Sequence, residues 1–305
     1  MTRRRKKSRR ILPKVFMLAI LLAGAFILWS FSSANNVGAA QARREIAPSE
    51  QTVPDRIVPP SGFPGFTTQI FVADIVDTQY LKLVNRELGI STPVNYARLV
   101  AAWPDVPVRA TYITVHETAL DAIRELFTAA YYANIRNLFI TSGFRSYEKQ
   151  RELYQNAADR RYVMSPGHSE HQMGLGVDIL FSGSYSFGGM AGTPEAAWLA
   201  QNAPQFGLIL RYPYDKQDVT GVAYEPWHFR YVGRVHAYIM AQYGFVLEEY
   251  IDFLQRNVSY QAAFDGKTWY ILYQRPENGM IFVPHDMDFN VSSANTGGYI
   301  VTAWR

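Results

Sequence analysis

Residues 169–178 read SEHQMGLGVD and place His171 seven positions before Asp178. On a helix this spacing would bring both side chains to one face, but Gly174 and Gly176 disfavour helical structure. On a regular strand the odd spacing would point them to opposite faces. We therefore expect the chain to bend at the two glycines and to continue as a strand beyond them. The spacing alone is weak support for a metal ion shared by both residues.

The segment EPWH places Glu225 three residues before His228. A catalytic zinc site commonly has three protein ligands and one position open for water, and His171, Asp178 and His228 could supply that set. A zinc hydrolase also uses a nearby carboxylate that moves protons without binding the metal. Glu225 is suitable if the chain turns at Pro226, which biases the preceding residue towards extended geometry. A surface glutamate and a core histidine would explain the same segment without catalysis.

The segment SGFRSY, residues 142–147, places Arg145 directly after a strand-like run at 137–141 and a glycine. A hydrolase must stabilise the oxyanion of its tetrahedral intermediate, and one that acts at a free chain end must also hold the substrate carboxylate. The planar guanidinium of Arg145 can do either through paired hydrogen bonds. A solvent-exposed arginine at the start of a helix is the alternative interpretation.

The other histidines are weaker candidates for metal binding. His168 lies three residues before His171 and is a competing candidate ligand. His116 precedes a glutamate but lacks the second histidine that the helical zinc-protease motif requires. We expect His236 to pack within a predicted helix, and we assign no role to His285.

The net charge of +4 conceals two unlike parts of the chain. Eight Lys and Arg residues and no acidic residue lie in positions 1–14, so the rest of the chain carries a net charge of −4. An acidic folded part is not typical of a nucleic-acid-binding protein. The chain has no cysteine, which excludes disulfides and thiolate metal ligands.

Residues 15–31, VFMLAILLAGAFILWSF, form an almost unbroken apolar run after the basic residues. Its length approaches the roughly 20 residues that span a bilayer. Basic residues on the N-terminal side hold that end in the cytoplasm. We therefore predict a single-pass anchor in the cell membrane, with residues 1–14 as a cytoplasmic tail and the rest extracytoplasmic. A signal peptide cleaved near the small residues at 38–40 is the alternative, and it would make the protein secreted.

The remaining chain divides by composition into three parts. Residues 32–65 are rich in Ala, Ser, Pro and Gly and are predicted to be a linker. Residues 66–255 mix helical periodicity with short strands, which indicates an α+β domain rather than repeated βαβ units. Residues 256–305 change to short alternating aromatic runs and are predicted to be a strand-rich extension. The predicted helices cover residues 117–133, 147–158 and 234–243.

Three motifs in this order resemble the VanY-type D-alanyl-D-alanine carboxypeptidases: SGFRSYxxQ at 142–150, SxHxxGxxxD at 169–178 and EPWHFRY at 225–231. Together they are specific, although each alone would be weak. The resemblance extends over roughly residues 78–255 and thins after about residue 256. It implies an α+β fold with a small central antiparallel sheet and flanking helices around one catalytic Zn²⁺. Such a fold is related to the D-Ala-D-Ala dipeptidases and to the zinc domain of hedgehog proteins.

The resemblance also implies a role for each matching residue. Carried over by position, the roles are zinc binding for His171, Asp178 and His228, general base catalysis for Glu225, contact with the substrate or its transition state for Arg145, and binding of the substrate carboxylate for Ser169 and Gln150. Phe144 departs from the family, which usually has tyrosine there, and phenylalanine lacks the hydroxyl group that a tyrosine could use for a hydrogen bond.

The same resemblance implies the activity, which is removal of the terminal D-Ala from peptidoglycan stem pentapeptides. Two alternatives stay open. An L,D-carboxypeptidase would trim stem tetrapeptides with the same zinc, base and carboxylate clamp. A non-catalytic cell-wall-binding module would keep the fold, although it would have no need of a base such as Glu225. The expected partners are stem peptides and the membrane, and not nucleic acid.

Overall fold

The structure is a computed structural model that describes residues 65–92, 94–184 and 187–305. Six α-helices lie in these ranges: α1 Glu117–Tyr132, α2 Tyr147–Gln155, α3 Pro194–Asn202, α4 Gln217–Thr220, α5 Arg234–Tyr243 and α6 Leu247–Asn257.

The helices predicted from sequence are present. α1 ends one residue before the predicted limit, and α5 has the predicted bounds, with Gly244 at its end in the left-handed conformation. α2 ends at Gln155, three residues early. The physical reason is Asn156, whose backbone N–H and side-chain amide both donate to the Glu152 carbonyl. A side chain that hydrogen-bonds to nearby backbone in this way competes with continued helix, and the backbone of Asn156 leaves the helical region at φ −95° and ψ 2°.

Twelve β-strands lie in the same described part of the chain: β1 Thr68–Phe71, β2 Leu99–Ala101, β3 Thr114–His116, β4 Leu138–Ser142, β5 Gly176–Phe181, β6 Leu208–Leu210, β7 His228–Tyr231, β8 Ser259–Phe264, β9 Lys267–Gln274, β10 Met280–Val283, β11 Asp288–Ser293 and β12 Tyr299–Trp304. They form two four-stranded sheets and two pairs, β1–β10 and β2–β3.

The central sheet has the strand order β4-β5-β7-β6, and every neighbouring pair is antiparallel. One face packs against α1, where Ile123 and Leu126 lie in the same buried cluster as Ile140, Ile179 and Phe229. Their spacing of three residues on α1 places both helical side chains on the face towards the sheet. The small antiparallel sheet with flanking helices confirms the predicted α+β fold.

The second sheet has the order β11-β12-β9-β8 and is also antiparallel. Its inner face packs against α5 and α6, with Ile271 and Ile300 in one buried cluster with Ile239 and Leu254. Five strands thus lie after residue 256, where the sequence shows alternating aromatic runs. The domain limits set out from the sequence stay predictions.

The membrane anchor predicted at residues 15–31, the tail at 1–14 and nearly all of the linker at 32–65 lie outside the described residues. Within the described ranges, every helix is too short or too polar to traverse a bilayer. The anchor therefore stays a prediction from charge and apolar length.

Candidate active site

Two strands and one tight turn bring the predicted metal ligands together. His171 lies on the 3₁₀ turn Glu170–Met173, Asp178 lies on β5, and His228 begins β7. Asp178 and His228 are directly opposite each other in the β5–β7 pair. Gly174 ends the turn with φ +68°, and a Cβ there would collide with a neighbouring leucine side chain. The glycine therefore permits the predicted bend, and residues seven positions apart reach one site.

The ligand atoms of these three residues converge on one point. Nε2 of His171 lies 3.4 Å from Oδ1 of Asp178, and Nδ1 of His228 lies 3.0 Å from the same oxygen. All three ligand atoms lie within 4.8 Å of one another, and all three residues are buried. Two imidazoles and a carboxylate at these separations could hold a divalent metal ion.

Hydrogen bonds on the far side of each imidazole determine which nitrogen faces the cluster. Nδ1–H of His171 donates to the Gly143 carbonyl at 2.7 Å, so its Nε2 carries the lone pair towards Asp178. Nε2–H of His228 donates to Oε2 of Glu170 at 3.4 Å, so its Nδ1 is directed into the cluster. Metal-binding histidines usually have such a partner on the other nitrogen, which orients the ring.

The two histidines of the cluster have pKa values shifted in opposite directions in the metal-free protein. Burial, reinforced by the Arg145 guanidinium, lowers the pKa of His171 to about 4. Burial would also lower the pKa of His228, but hydrogen bonds with Asp178 and Glu170 outweigh it and raise that pKa to about 9. Despite burial, the adjacent imidazoles and Arg145 hold the pKa of Asp178 well below its usual range. A metal ion must therefore displace a proton from His228, so metal affinity falls as pH falls.

Glu225 occupies the turn that leads into β7. Its backbone carbonyl accepts from the His228 N–H at 3.1 Å, which forms the turn expected at Pro226. The side chain is only 5% exposed and faces the same cavity as the cluster. No described side chain hydrogen-bonds to its carboxylate, and burial raises its pKa to about 8. A carboxylate near neutral pKa suits proton transfer in both directions.

Arg145 follows β4 and is held beside the cluster by backbone and side-chain contacts. Its N–H donates to the His171 carbonyl at 3.1 Å. Its guanidinium donates to Oδ2 of Asp178 at 2.9 Å, to Oγ of Ser142 at 3.0 Å and to Oε1 of Gln150 at 3.3 Å. The side chain is 20% exposed and lines the same cavity as the cluster.

The two remaining predicted site residues line the same cavity. Gln150 is buried on α2, and its amide donates to the Met164 carbonyl at 2.7 Å while its oxygen accepts from Arg145. Ser169 is buried at the start of the 3₁₀ turn that carries His171. The structure therefore brings together all seven residues singled out from the sequence.

The cavity has a volume of about 230 Å³ and an aromatic wall. Trp227 forms the centre of that wall, with its ring centroid 6.2 Å from Tyr162 and 5.0 Å from Phe187. A larger open groove of about 690 Å³ lies at the C-terminal end of α1, and none of the candidate site residues lines it. The smaller cavity is therefore the candidate active site.

The other described histidines are not members of the cluster and do not line its cavity. His168 is turned towards the Asn85 carbonyl, 2.8 Å from its Nδ1. His116 accepts from the Thr118 N–H at the start of α1. His236 is buried and hydrogen-bonded through both nitrogens to hydroxyl groups, which agrees with its expected packing role.

Sequence reasoning missed Glu170, which is buried next to His228. Oε1 of Glu170 accepts from Nε of Arg211 and from Nη1 of Arg230, each at 2.8 Å. These arginines hold the pKa of Glu170 well below its usual range, although burial alone would raise it. The partners are 41 and 60 positions away in the chain, so no local pattern identifies the contact.

A buried pair of histidines and an aspartate, with a separate carboxylate beside them, is an arrangement typical of metal-dependent hydrolases. The family model "VanY: D-alanyl-D-alanine carboxypeptidase" matches residues 112–234. VanXYC of Enterococcus gallinarum, a bifunctional D-Ala-D-Ala dipeptidase and D-Ala-D-Ala carboxypeptidase, is 35% identical over 134 residues, which cover 40% of this chain and 70% of that protein. The chain belongs to the VanY-type D-alanyl-D-alanine carboxypeptidase family, as its three motifs predict.

A D-alanyl-D-alanine carboxypeptidase of Enterococcus faecium is 39% identical over 181 residues, which cover 59% of this chain and 58% of that protein. The match thus spans less than two thirds of that relative. The solved structure of the vancomycin-resistance D,D-dipeptidase VanXYg with a D-Ala-D-Ala phosphinate analogue is 28% identical, with a TM-score of 0.67 over 78% of this chain and 98% of that one. The LD-carboxypeptidase LdcB is 35% identical, with a TM-score of 0.51 over 57% and 86%.

Proposed function

We propose that the protein is a zinc-dependent D-alanyl-D-alanine carboxypeptidase that removes the terminal D-Ala from peptidoglycan stem pentapeptides. The observation that carries the proposal is one cavity lined by the His171, Asp178 and His228 cluster, the Glu225 carboxylate and the Arg145 guanidinium. Family membership supports it, because relatives are described as D-Ala-D-Ala carboxypeptidases.

Zinc is the ion that best fits the donor set. It accepts imidazole nitrogen and carboxylate oxygen together, and catalytic zinc sites have three protein ligands with a further position open. His171 and His228 each donate their other ring N–H to an oxygen, as zinc-binding histidines do. When bound there, zinc would polarise the scissile carbonyl and lower the pKa of the attacking water.

Glu225 is proposed as the general base. Its carboxylate accepts a proton from the attacking water and then gives that proton to the departing amine of D-Ala. The position fits this role because the carboxylate faces the cavity without a hydrogen-bonding partner among the described side chains. A pKa of about 8 in the metal-free protein moves downwards when a cation binds nearby, towards the working pH.

Arg145 is proposed to stabilise the negative charge of the substrate. Contacts with Asp178, Ser142 and Gln150 hold its fork in place before substrate arrives. A guanidinium oriented in this way can bind the terminal carboxylate or the developing oxyanion with little reorganisation. Ser169 and Gln150 line the same cavity and are proposed to help hold that carboxylate.

L,D-carboxypeptidase activity on stem tetrapeptides is the second candidate. The similarity to LdcB favours it, since LdcB is described as an LD-carboxypeptidase. Both reactions would use the same metal cluster, base and arginine. They differ in whether the pocket accepts an L or a D centre before the scissile bond.

A product assay separates these functions. The full-length protein in mild detergent is incubated with purified stem tetrapeptide and pentapeptide, and the products are weighed by mass spectrometry. We expect release of D-Ala from the pentapeptide, loss of release with a chelator and its return with zinc. Release from the tetrapeptide alone would replace the proposal with L,D cleavage. A zinc-loaded protein that releases nothing but binds cell walls would support the non-catalytic module.

We also propose that the catalytic part works outside the cell membrane. The basic residues at 1–14 and the apolar run at 15–31 support this, together with a peptidoglycan substrate. Membrane fractionation and protease treatment of intact cells test it. A protein found only in the culture medium would indicate cleavage of the N-terminal segment instead.

A further inference from the structure

Glu170 lies on the 3₁₀ turn beside His171 and is fully buried. Its Oε1 accepts hydrogen bonds from both Arg211 and Arg230. Its Oε2 lies 3.4 Å from Nε2 of His228, on the side of that ring opposite the metal cluster. The two oxygens therefore have different partners, because the arginines occupy one and His228 faces the other.

Other contacts prevent this carboxylate from rotating. Arg211 donates its two terminal nitrogens to Glu248 on α6, at 2.7 and 2.8 Å. Nη2 of Arg230, which does not contact Glu170, donates to three backbone carbonyls, those of Gln79, Tyr80 and Lys82. Both guanidinium groups are thus fixed by contacts on the side away from Glu170, and they in turn fix the Glu170 carboxylate.

We propose that Glu170 is a positioning residue for the metal site: it keeps a proton on Nε2 of His228 and so directs the Nδ1 lone pair towards the cluster. A metal ligand nitrogen must be unprotonated, and an imidazole bound through Nδ1 must carry its proton on Nε2. An ionised carboxylate can only accept a hydrogen bond, so Glu170 excludes the opposite arrangement. This inference rests on the proposed metal site and adds a residue that acts through His228.

Glu170→Gln tests the proposal sharply because the two arginines decide how the new amide is oriented. Both arginines are donors, so they bind the amide oxygen and leave the NH₂ group facing Nε2 of His228. That NH₂ favours a proton on Nδ1 instead, where the metal should bind. We expect zinc affinity, measured by competition with a chromophoric chelator, to fall about 10- to 100-fold.

Glu248→Gln is the matched control. It removes a carboxylate from the same Arg211 but has no contact with His228. We expect this variant to lose stability to unfolding while its zinc affinity stays within about twofold of the wild type. Equal losses of zinc affinity in Glu248→Gln and Glu170→Gln would assign Glu170 a purely structural role and overturn the proposal.

Nitrogen-15 NMR of the zinc-loaded wild-type protein gives a second, independent readout. We expect the His228 ring to show a protonated Nε2 and a metal-bound Nδ1, and binding through Nε2 would refute the proposal even if Glu170→Gln does not fold. These outcomes distinguish failure of the proposed zinc site from failure of the role proposed for Glu170. A wild-type protein that binds no zinc refutes the zinc site, whereas tight zinc binding by both wild type and Glu170→Gln refutes only the role of Glu170.

Discussion

Glu225→Gln is the perturbation that most directly separates catalysis from folding. Glutamine keeps the shape of the side chain but cannot accept and release the proton that hydrolysis requires. Loss of a general base costs about 10²- to 10⁴-fold in rate. We expect kcat for D-Ala release to fall by that factor while the protein still binds one zinc, since Glu225 is not a member of the His171, Asp178 and His228 cluster.

The same substitution should change stability with a defined pH dependence. Burial raises the pKa of Glu225 from 4.5 to about 8 in the metal-free protein. Because the folded value exceeds the unfolded one, the stabilising contribution is complete below about pH 4.5 and is lost as pH rises towards 8. At about 1.4 kcal/mol per pKa unit, the loss has an upper bound of about 5 kcal/mol. Glutamine does not ionise and avoids this loss.

Urea unfolding of the metal-free proteins at pH 5 and pH 9 measures the effect. We expect the free energy of unfolding of Glu225→Gln, relative to that of the wild type, to be higher at pH 9 than at pH 5. This gain is expected even though the variant should be the less active enzyme. Zinc content and D-Ala release are measured on the same preparations. Wild-type activity in the variant, or loss of its zinc, would refute the assignment of Glu225 as the base. An unchanged stability difference between the two pH values would refute the burial argument.

Two further substitutions test the geometry around the cluster. Arg145→Lys keeps the charge but loses the planar fork, so we expect kcat/KM to fall about 100-fold, with zinc content unchanged; full activity would show that the fork is not used. Gly174→Ala places a Cβ against Leu99 Cδ2 at φ +68°, and we expect it to lower the free energy of unfolding by about 2–4 kcal/mol. Gly188→Ala, where a Cβ meets open space, is its control in the same urea titration, and equal stabilities would contradict the steric argument.

Local patterns predicted the helices, and the reasons can be identified. α5 has the predicted bounds because its apolar spacing is regular and Gly244 ends it in a conformation that glycine adopts easily. α2 is shorter than predicted because the side chain of Asn156 hydrogen-bonds to the Glu152 carbonyl and its backbone leaves the helical region. Periodicity describes the face of a helix, whereas its last residue depends on individual hydrogen bonds.

The amino-acid sequence by itself determined the residue types of the site and their grouping in three motifs. The proposed metal ligands, the proposed base and the guanidinium are chemically distinctive side chains, and their order in the chain matches one family. The sequence also predicted the bend at Gly174, because glycine adopts the left-handed conformation at little cost in free energy.

Only the tertiary structure decided how those residues face one another. Asp178 and His228 meet because β5 and β7 are paired in one register, and no spacing along the chain specifies a register between strands 50 residues apart. The contacts of Glu170 with Arg211 and Arg230 became visible for the same reason. Their hydrogen bonds join distant parts of the chain, so only folding brings their charges together in the buried interior next to His228, a proposed metal ligand.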